Sequence, residues 1–278
     1  MDKSVSVLRG DGRKITIIAQ NIYVKENKME KSKVYFTDFR TSNGVGLPEK
    51  LQKLCRKAGI MNIDFENKFV AIKMHFGELG NIAYLRPNYA KAVADLVKEG
   101  GGKPFLTDCN TLYPGSRKNA LDHLDCAQIN GFNEITTGCH VIIGDGLKGT
   151  DDVIVPVEGA TYCKEAYIGR AVMDADVFIS LNHFKGHEAT GFGGALKNIG
   201  MGCGSRAGKM HQHNQGKPVV NEEDCRNCKR CAKECGSNAI KYDTGKAVID
   251  QDLCKGCGRC IGACSFDAIH NPNENANE

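Results

Sequence analysis

The chain has 278 residues, 41% of them hydrophobic, with 14 cysteines and a formal net charge of +4. That length and apolar content suffice for a full α/β core with a small module beside it. No apolar run approaches the about 18–20 residues of a transmembrane helix, and Ile15–Ala19 is too short for a signal peptide, so a membrane span is excluded and a cytoplasmic protein is expected.

Residues 1–28 are polar and show no convincing periodicity beyond Ile15–Ala19; they form an extension without assigned elements. Met29 leads directly into the first strand and is an alternative start to Met1. From 29 to 215 the pattern alternates between strands and helices. Val34–Phe39 reads as a strand. Pro48 opens a helix over Glu49–Ala58, closed by Gly59. Phe69–Met74 is a strong apolar strand, and Pro87 begins a helix whose inner face is Ala90, Val93, Ala94 and Val97. Lys103–Thr107 is a third strand; Ser116 then caps a helix with Ala120, Leu121 and Leu124 inward. Val141–Gly144 and Val153–Val157 read as strands around a Gly-Asp-Gly turn, Tyr162–Ala175 as a helix, and Val177–Leu181 as the last strand. This order predicts an α/β fold with a mostly parallel sheet covered by helices.

Ligands of open α/β sheets bind beyond the carboxyl ends of the strands. Phe69–Met74 carries Lys73 there and leads to His75 and Glu78. Lys103–Thr107 leads to Asp108, Cys109, Asn110 and Thr111, and Val177–Leu181 leads to Asn182, His183, Lys185 and His187. Each residue alone is as well explained as a turn former or an exposed charge. Their convergence from three strands marks Lys73, His75, Asp108, His183, Lys185 and His187 as candidates for binding and protonating a small anionic substrate. Cys109, next to Asp108, is a candidate reactive thiol.

Gly191, Gly193 and Gly194 precede a helix containing Leu196, Lys197, Asn198 and Ile199. Backbone N–H groups at such an approach, with Lys197 and Asn198, suit a phosphate or carboxylate of a substrate or cofactor; close backbone packing explains the glycines equally well. Neither a Walker loop nor a dinucleotide fingerprint is present. Cys203, His211 and His213 offer a loosely spaced third metal site or a plain connecting loop. Cys55, Cys126, Cys139 and Cys163 read as inert thiols.

Eight cysteines near the C-terminus follow one pattern. Cys225, Cys228, Cys231 and Cys235 are spaced C-x2-C-x2-C-x3-C, and Cys254, Cys257, Cys260 and Cys264 repeat it 29 residues later. This is the bacterial spacing for two 4Fe–4S clusters, in which the fourth cysteine of each run ligates the other cluster. One cluster is therefore assigned to Cys225, Cys228, Cys231 and Cys264, the other to Cys254, Cys257, Cys260 and Cys235. Zinc needs four ligands and has no use for two interlocked runs of four, and a disulfide scaffold does not suit so long a chain without a secretory signal. The self-similar continuations predict two halves related by a pseudo-twofold axis. The segment 219–270 resembles bacterial-type two-cluster ferredoxins, a small α+β module, except that Gly236 and Ser265 replace the proline usual after the fourth cysteine. The tail 271–278 is polar and expected to be disordered.

Each oxidised cluster with its thiolates brings about −2, which makes the loaded protein roughly neutral and removes any case for non-specific nucleic-acid binding. Arg226, Lys229, Arg230, Lys233, Lys255 and Arg259 give the module a basic rim, suited to a redox partner with an acidic surface or simply to solvation. So many thiols favour a reducing, anaerobic cell.

The span from about Lys33 to Met210 resembles the iron–sulfur protein family called domain of unknown function 362. The residues that carry the likeness are Ser180-Leu-Asn-His-Phe-Lys-Gly-His187 and Thr190-Gly-Phe-Gly-Gly-Ala-Leu-Lys-Asn-Ile-Gly-Met-Gly202, with Asp108 before them. Many members append a two-cluster ferredoxin segment. The resemblance implies this architecture and a central role for His183–Asn198, and it implies no substrate. The sequence thus predicts an iron–sulfur oxidoreductase that feeds electrons to a pocket at the sheet edge. The alternatives are a dedicated electron carrier or a redox sensor whose α/β domain docks proteins.

Overall fold

The structure, a computed structural model, describes residues 5–8, 14–17, 32–113, 115–187, 191–213, 217–242 and 245–272. In chain order the elements are β1 (Val5–Leu8), β2 (Lys14–Ile17), α1 (Leu47–Ala58), β3 (Phe69–Lys73), α2 (Pro87–Glu99), β4 (Lys103–Asp108), α3 (Ala120–Ile129), α4 (Glu134–Thr137), β5 (His140–Ile143), β6 (Asp152–Pro156), β7 (Glu165–Gly169), α5 (Arg170–Asp174), β8 (Val177–Ser180), β9 (Lys185–His187), β10 (Gly191–Gly193), α6 (Ala195–Gly200) and α7 (Arg206–Gln212). The C-terminal module follows with β11 (Val219–Val220), α8 (Arg230–Glu234), β12 (Ile240–Lys241), β13 (Val248–Ile249), α9 (Arg259–Ala263) and β14 (Ile269–His270).

The main sheet has the order β1-β2-β8-β3-β4-β5. Its β8, β3, β4 and β5 are parallel, as predicted, and the nearly continuous burial of the central β3 and β4 is that of strands covered on both faces. On one face Ile72 and Leu106 meet Ala90, Val93 and Ala94 of α2; on the other, Ala71 and Phe105 meet Ala175. Pro87 starts α2 and the predicted inner stripe is buried. The polar N-terminal extension contributes backbone to this sheet: β1 and β2 form an antiparallel pair whose second strand runs parallel to β8.

Three sequence expectations need correction. Val34–Phe39 forms no strand, and Val34, Phe36 and Phe39 are exposed; a strand requires a partner edge, which local pattern does not supply. The cap of α3 is Asn119, whose side chain accepts from the N–H groups of Leu121 and Asp122; Ala120 and Leu124 pack on the core as expected, with His123, Cys126 and Ala127 buried beside them, but Leu121 is exposed. Within Tyr162–Ala175, Glu165–Gly169 is the strand β7, paired antiparallel with β6, and only Arg170–Asp174 is helical. The β-prone run Ala166-Tyr167-Ile168 follows the pairing that β6 offers.

The C-terminal module repeats itself in space. β11 pairs with β14 and β12 with β13, while α8 and α9 pack together. Left-handed backbone recurs at Asn227 and Gly256, Lys229 and Gly258, and Asn238 and Asp267, each pair 29 positions apart like the cysteine runs.

Candidate functional site

The two cysteine runs interlock. One cavity, of about 300 Å³ measured out to open solvent, is lined by Cys225, Cys228, Cys231 and Cys264; the other, of about 310 Å³, by Cys235, Cys254, Cys257 and Cys260. The fourth cysteine of each run thus lies with the first three of the other. Thiols are the soft donors at both, with no histidine or carboxylate among the lining residues. Among the described residues no group of three or more His, Cys, Asp or Glu meets closely enough to hold a single ion.

Backbone N–H groups point at three of the sulfurs. The N–H groups of Ala247, Ala239 and Gly256 donate to the sulfurs of Cys225, Cys235 and Cys254 at 3.4, 3.2 and 3.5 Å. Tyr242 Oη lies 2.8 Å from Cys231 Sγ. Burial first, then the neighbouring Cys257 and Cys254, push the free Cys260 thiol up to about 12; a bound cluster would relieve that crowding of like charges. Cys228 and Cys257, related by the repeat, are the two exposed cysteines, flanked by Arg226 and Lys229 and by Lys255 and Arg259.

A second polar centre lies at the carboxyl ends of β3 and β8. Successive strands run β3 to β4 to β5 in one direction, and β8 then returns to the other side of β3, which makes this the topological switch point. Lys73, 1% exposed, ends β3 with Nζ 2.9 Å from Asp108 Oδ1. The same ammonium donates to Asn198 Oδ1 at 2.8 Å, and Asn198 Nδ2 donates to the Lys73 carbonyl and to Ser180 Oγ. Asn198, delivered by α6, thus stoppers the crevice. Burial alone would raise the Asp108 carboxyl, but Lys73, with His123, His75 and Arg117, overrides it and holds the group well below the ordinary carboxylate range. Burial pulls the neighbouring His123 ring down to about 3, leaving both its nitrogens without a hydrogen-bond partner.

The structure divides the six candidate catalytic residues. Lys73 and Asp108 are internal and paired, and His75 sits beside them at the strand end, its Nδ1 accepting from Gly77 N at 2.9 Å. His183 and Lys185 are exposed, Lys185 and His187 lying on the β9–β10 hairpin, where His187 contacts Lys197. Gly191, with φ of 77°, and Gly193 belong to β10, and Gly194 caps α6. At six residues α6 is too short for a strong terminal dipole, and Lys197 and Asn198 point to His187 and Lys73. Cys109 is fully inside, and burial raises its thiol well above the ordinary range, which corrects its reading as reactive. Cys203, His211 and His213 do not assemble: the histidine rings pack on Tyr167 and Tyr113.

Residues that the sequence reading missed join the two centres. Lys118 Nζ donates to the Cys264 carbonyl at 2.6 Å and pairs with Asp267. Leu112 and Met210 complete the core of the cysteine module. Arg206, fully buried, spans from the α/β domain to α9. Their nearness to the motifs was visible in sequence; their direction was not.

Comparison with known proteins adds the following. The family model described as domain of unknown function (DUF362) matches residues 70–223, and that described as 4Fe–4S binding domain matches residues 218–241 and 247–270. A curated relative, the thylakoid-associated protein sll1697 of Synechocystis sp., is 30% identical over 130 residues, 45% of this chain and 34% of the relative. The chain therefore spans about a third of that relative's length. No solved structure matches. The two 4Fe–4S repeats indicate two clusters and an electron-transfer role, and among the described residues no helix is long and apolar enough to cross a membrane.

Proposed function

We propose that this chain, which belongs to the DUF362 family, is an electron relay that takes single electrons from a protein partner at its cysteine module and presents them through an α/β docking domain. Cys225, Cys228, Cys231 and Cys264 hold one cluster, and Cys235, Cys254, Cys257 and Cys260 hold the other. Each bound cluster would supply one-electron chemistry. The observation that carries the reading is the crosswise arrangement of the eight cysteines, three from one run and the fourth of the other lining each cavity.

The exposed Cys228 and Cys257 mark the edges through which electrons enter and leave, and Arg226, Lys229, Lys255 and Arg259 steer an acidic redox partner to them. The α/β domain favours the relay over a substrate reductase. Lys73 and Asp108 satisfy each other behind Asn198, so the groups that would bind and protonate a small anion are already committed. His183 and Lys185 remain exposed and are the polar groups available to an anionic substrate or to carboxylates of a docked protein.

The test is anaerobic isolation followed by iron, sulfide, zinc and flavin determination and electron paramagnetic resonance before and after reduction. Eight irons and two interacting clusters are expected; zinc, or fewer than about four irons after reconstitution, sinks the cluster assignment. A bound organic two-electron cofactor would replace the relay with a reductase. Alanine at His183 or Lys185 should slow electron exchange with the partner.

A further inference from the structure

Arg206 is 0% exposed, and among the described residues no carboxylate comes within ion-pairing distance of it. Its guanidinium is held by neutral acceptors: Nη1 donates to Thr111 O at 2.6 Å, Nε to Lys148 O at 3.4 Å, and Nη2 to Lys118 O. Carbonyls satisfy the N–H groups without neutralising the charge, and a buried charge is stabilised by a counter-charge. Asp145 is the nearest carboxylate. Its Oδ1 accepts from Asn110 N and Nδ2 at 2.9 and 2.8 Å, and it must also offset the buried Lys209, whose Nζ donates to Gly204 O. Two internal cations therefore face one carboxylate.

The other side of Arg206 packs against Gly258 and Gly262, and Gly258 lines the second cysteine cavity. A methyl added at Gly258 would stand 2.7 Å from Arg206 Cγ and Cδ, and one at Gly262 would stand 3.0 Å from Nη2. Gly258 lies between Cys257 and Arg259, and Gly262 two residues after Cys260. In the first half of the repeat the corresponding residues, 29 positions earlier, are Lys229 and Lys233. The second half thus has glycines where the first carries its own cations, and Arg206 of the α/β domain occupies the space they leave.

Building on the relay reading, we infer that Arg206 is the counter-ion of the cluster held by Cys235, Cys254, Cys257 and Cys260, a positioning residue that sets this cluster's potential and ties its charge to the α/β domain. A fixed buried cation favours the more negative, reduced state. Asp145 opposes it from the far side. Together with Lys209 it makes the α/β interior sensitive to an electron on this cluster and not on its partner.

The test is a redox titration of the full-length holoprotein, followed by electron paramagnetic resonance, with the two signals assigned through Cys254→Ser and Cys225→Ser. At the potential that half-reduces this cluster in the wild type, Arg206→Gln should lower its reduced-to-oxidised ratio at least tenfold, which is 59 mV for a one-electron couple. The other cluster should move much less. Arg206→Lys should restore most of the ratio, because charge and not fork geometry is at issue, and Asp145→Asn should raise it. An unchanged ratio in Arg206→Gln at full iron content, equal shifts of both clusters, or an Arg206→Lys protein as impaired as Arg206→Gln overturns the inference. If Arg206→Gln fails to retain iron, Asp145→Asn decides: a raised ratio supports the inference, and an unchanged or lowered one overturns it. Missing iron in the wild type removes the relay reading itself, a result separate from all of these.

Discussion

Lys73 and Asn198 grip each other in both directions across the switch point of the sheet. The lysine Nζ donates to Asn198 Oδ1 at 2.8 Å, and the asparagine Nδ2 donates back to the Lys73 carbonyl at 3.1 Å. A residue 125 positions away in the chain thereby seals the crevice where an open α/β sheet ordinarily receives a ligand. Replacing Asn198 by Leu removes one partner of a buried ammonium, while the Lys73 carbonyl keeps Leu181 N, a loss of about 1–3 kcal/mol. Anaerobic urea denaturation should read that loss, and an unchanged midpoint would show that the seal carries no stability.

The ion pair behind that seal should behave as a unit. Lys73→Met alone strands the Asp108 carboxylate inside the domain and should cost about 3–5 kcal/mol. The double change Lys73→Met with Asp108→Leu should cost clearly less than the sum of the two single changes. Additive costs in a double-mutant cycle would mean that the 2.9 Å pair is not coupled.

Close approach makes Gly202 irreplaceable and Gly200 replaceable. A methyl at Gly202 overlaps the Asn198 carbonyl oxygen and stands 2.7 Å from Lys73 Nζ, whereas one at Gly200 meets nothing within 4 Å. Gly202→Ala should destabilise by about 1–3 kcal/mol or more through overpacking, and Gly200→Ala should be neutral or stabilise by about 0.4–1 kcal/mol. Thermal midpoints of the two holoproteins compare them directly.

His123 gives the fold an acid limit. Its ring, ordinarily near 6.5, is held at about 3, chiefly by burial, with the Asp108 carboxylate pulling the other way. Between those values the unfolded chain takes up a proton that the folded one refuses, so stability is full above about 6.5 and declines as pH falls. The decline by pH 5 is about 2 kcal/mol. Asp108, with a depressed carboxyl, adds stability above the ordinary carboxylate range and keeps it to lower pH. His123→Gln should flatten the slope of unfolding free energy between pH 7.5 and 5; an unaltered slope would assign the acid sensitivity elsewhere.

Tyr242 distinguishes the two clusters chemically. Its hydroxyl, 2.8 Å from Cys231 Sγ, donates to one sulfur of the first cavity, and hydrogen bonds to sulfur favour the reduced cluster. Tyr242→Phe should lower the potential of the cluster on Cys225, Cys228, Cys231 and Cys264 alone, as followed by electron paramagnetic resonance during redox titration. An equal shift at both clusters would exclude this assignment of the ligands.

The two cysteine runs are legible because cubane ligation is mostly local. Three thiols must come from one tight loop, so spacing records the chemistry, and the interval of 29 residues records the pseudo-symmetry. The parallel strands are legible for a similar reason: β3, β4 and β8 are apolar runs bounded by turn residues, and α2 announces itself by Pro87 and its stripe. Even Lys73 and Asp108 could be placed at one sheet edge by counting to the ends of their strands. What only the tertiary structure decided is which side chains meet there. Hairpin β9–β10 carries Lys185 and His187 away from Lys73 and Asp108, while Asn198, Arg117 and His123 close around that pair and Arg206 reaches across to Gly258 and Gly262. Those meetings depend on strand order and on loops returning from far along the chain. Sequence periodicity reports which face of an element is apolar, but not which distant side chain will be packed against its end.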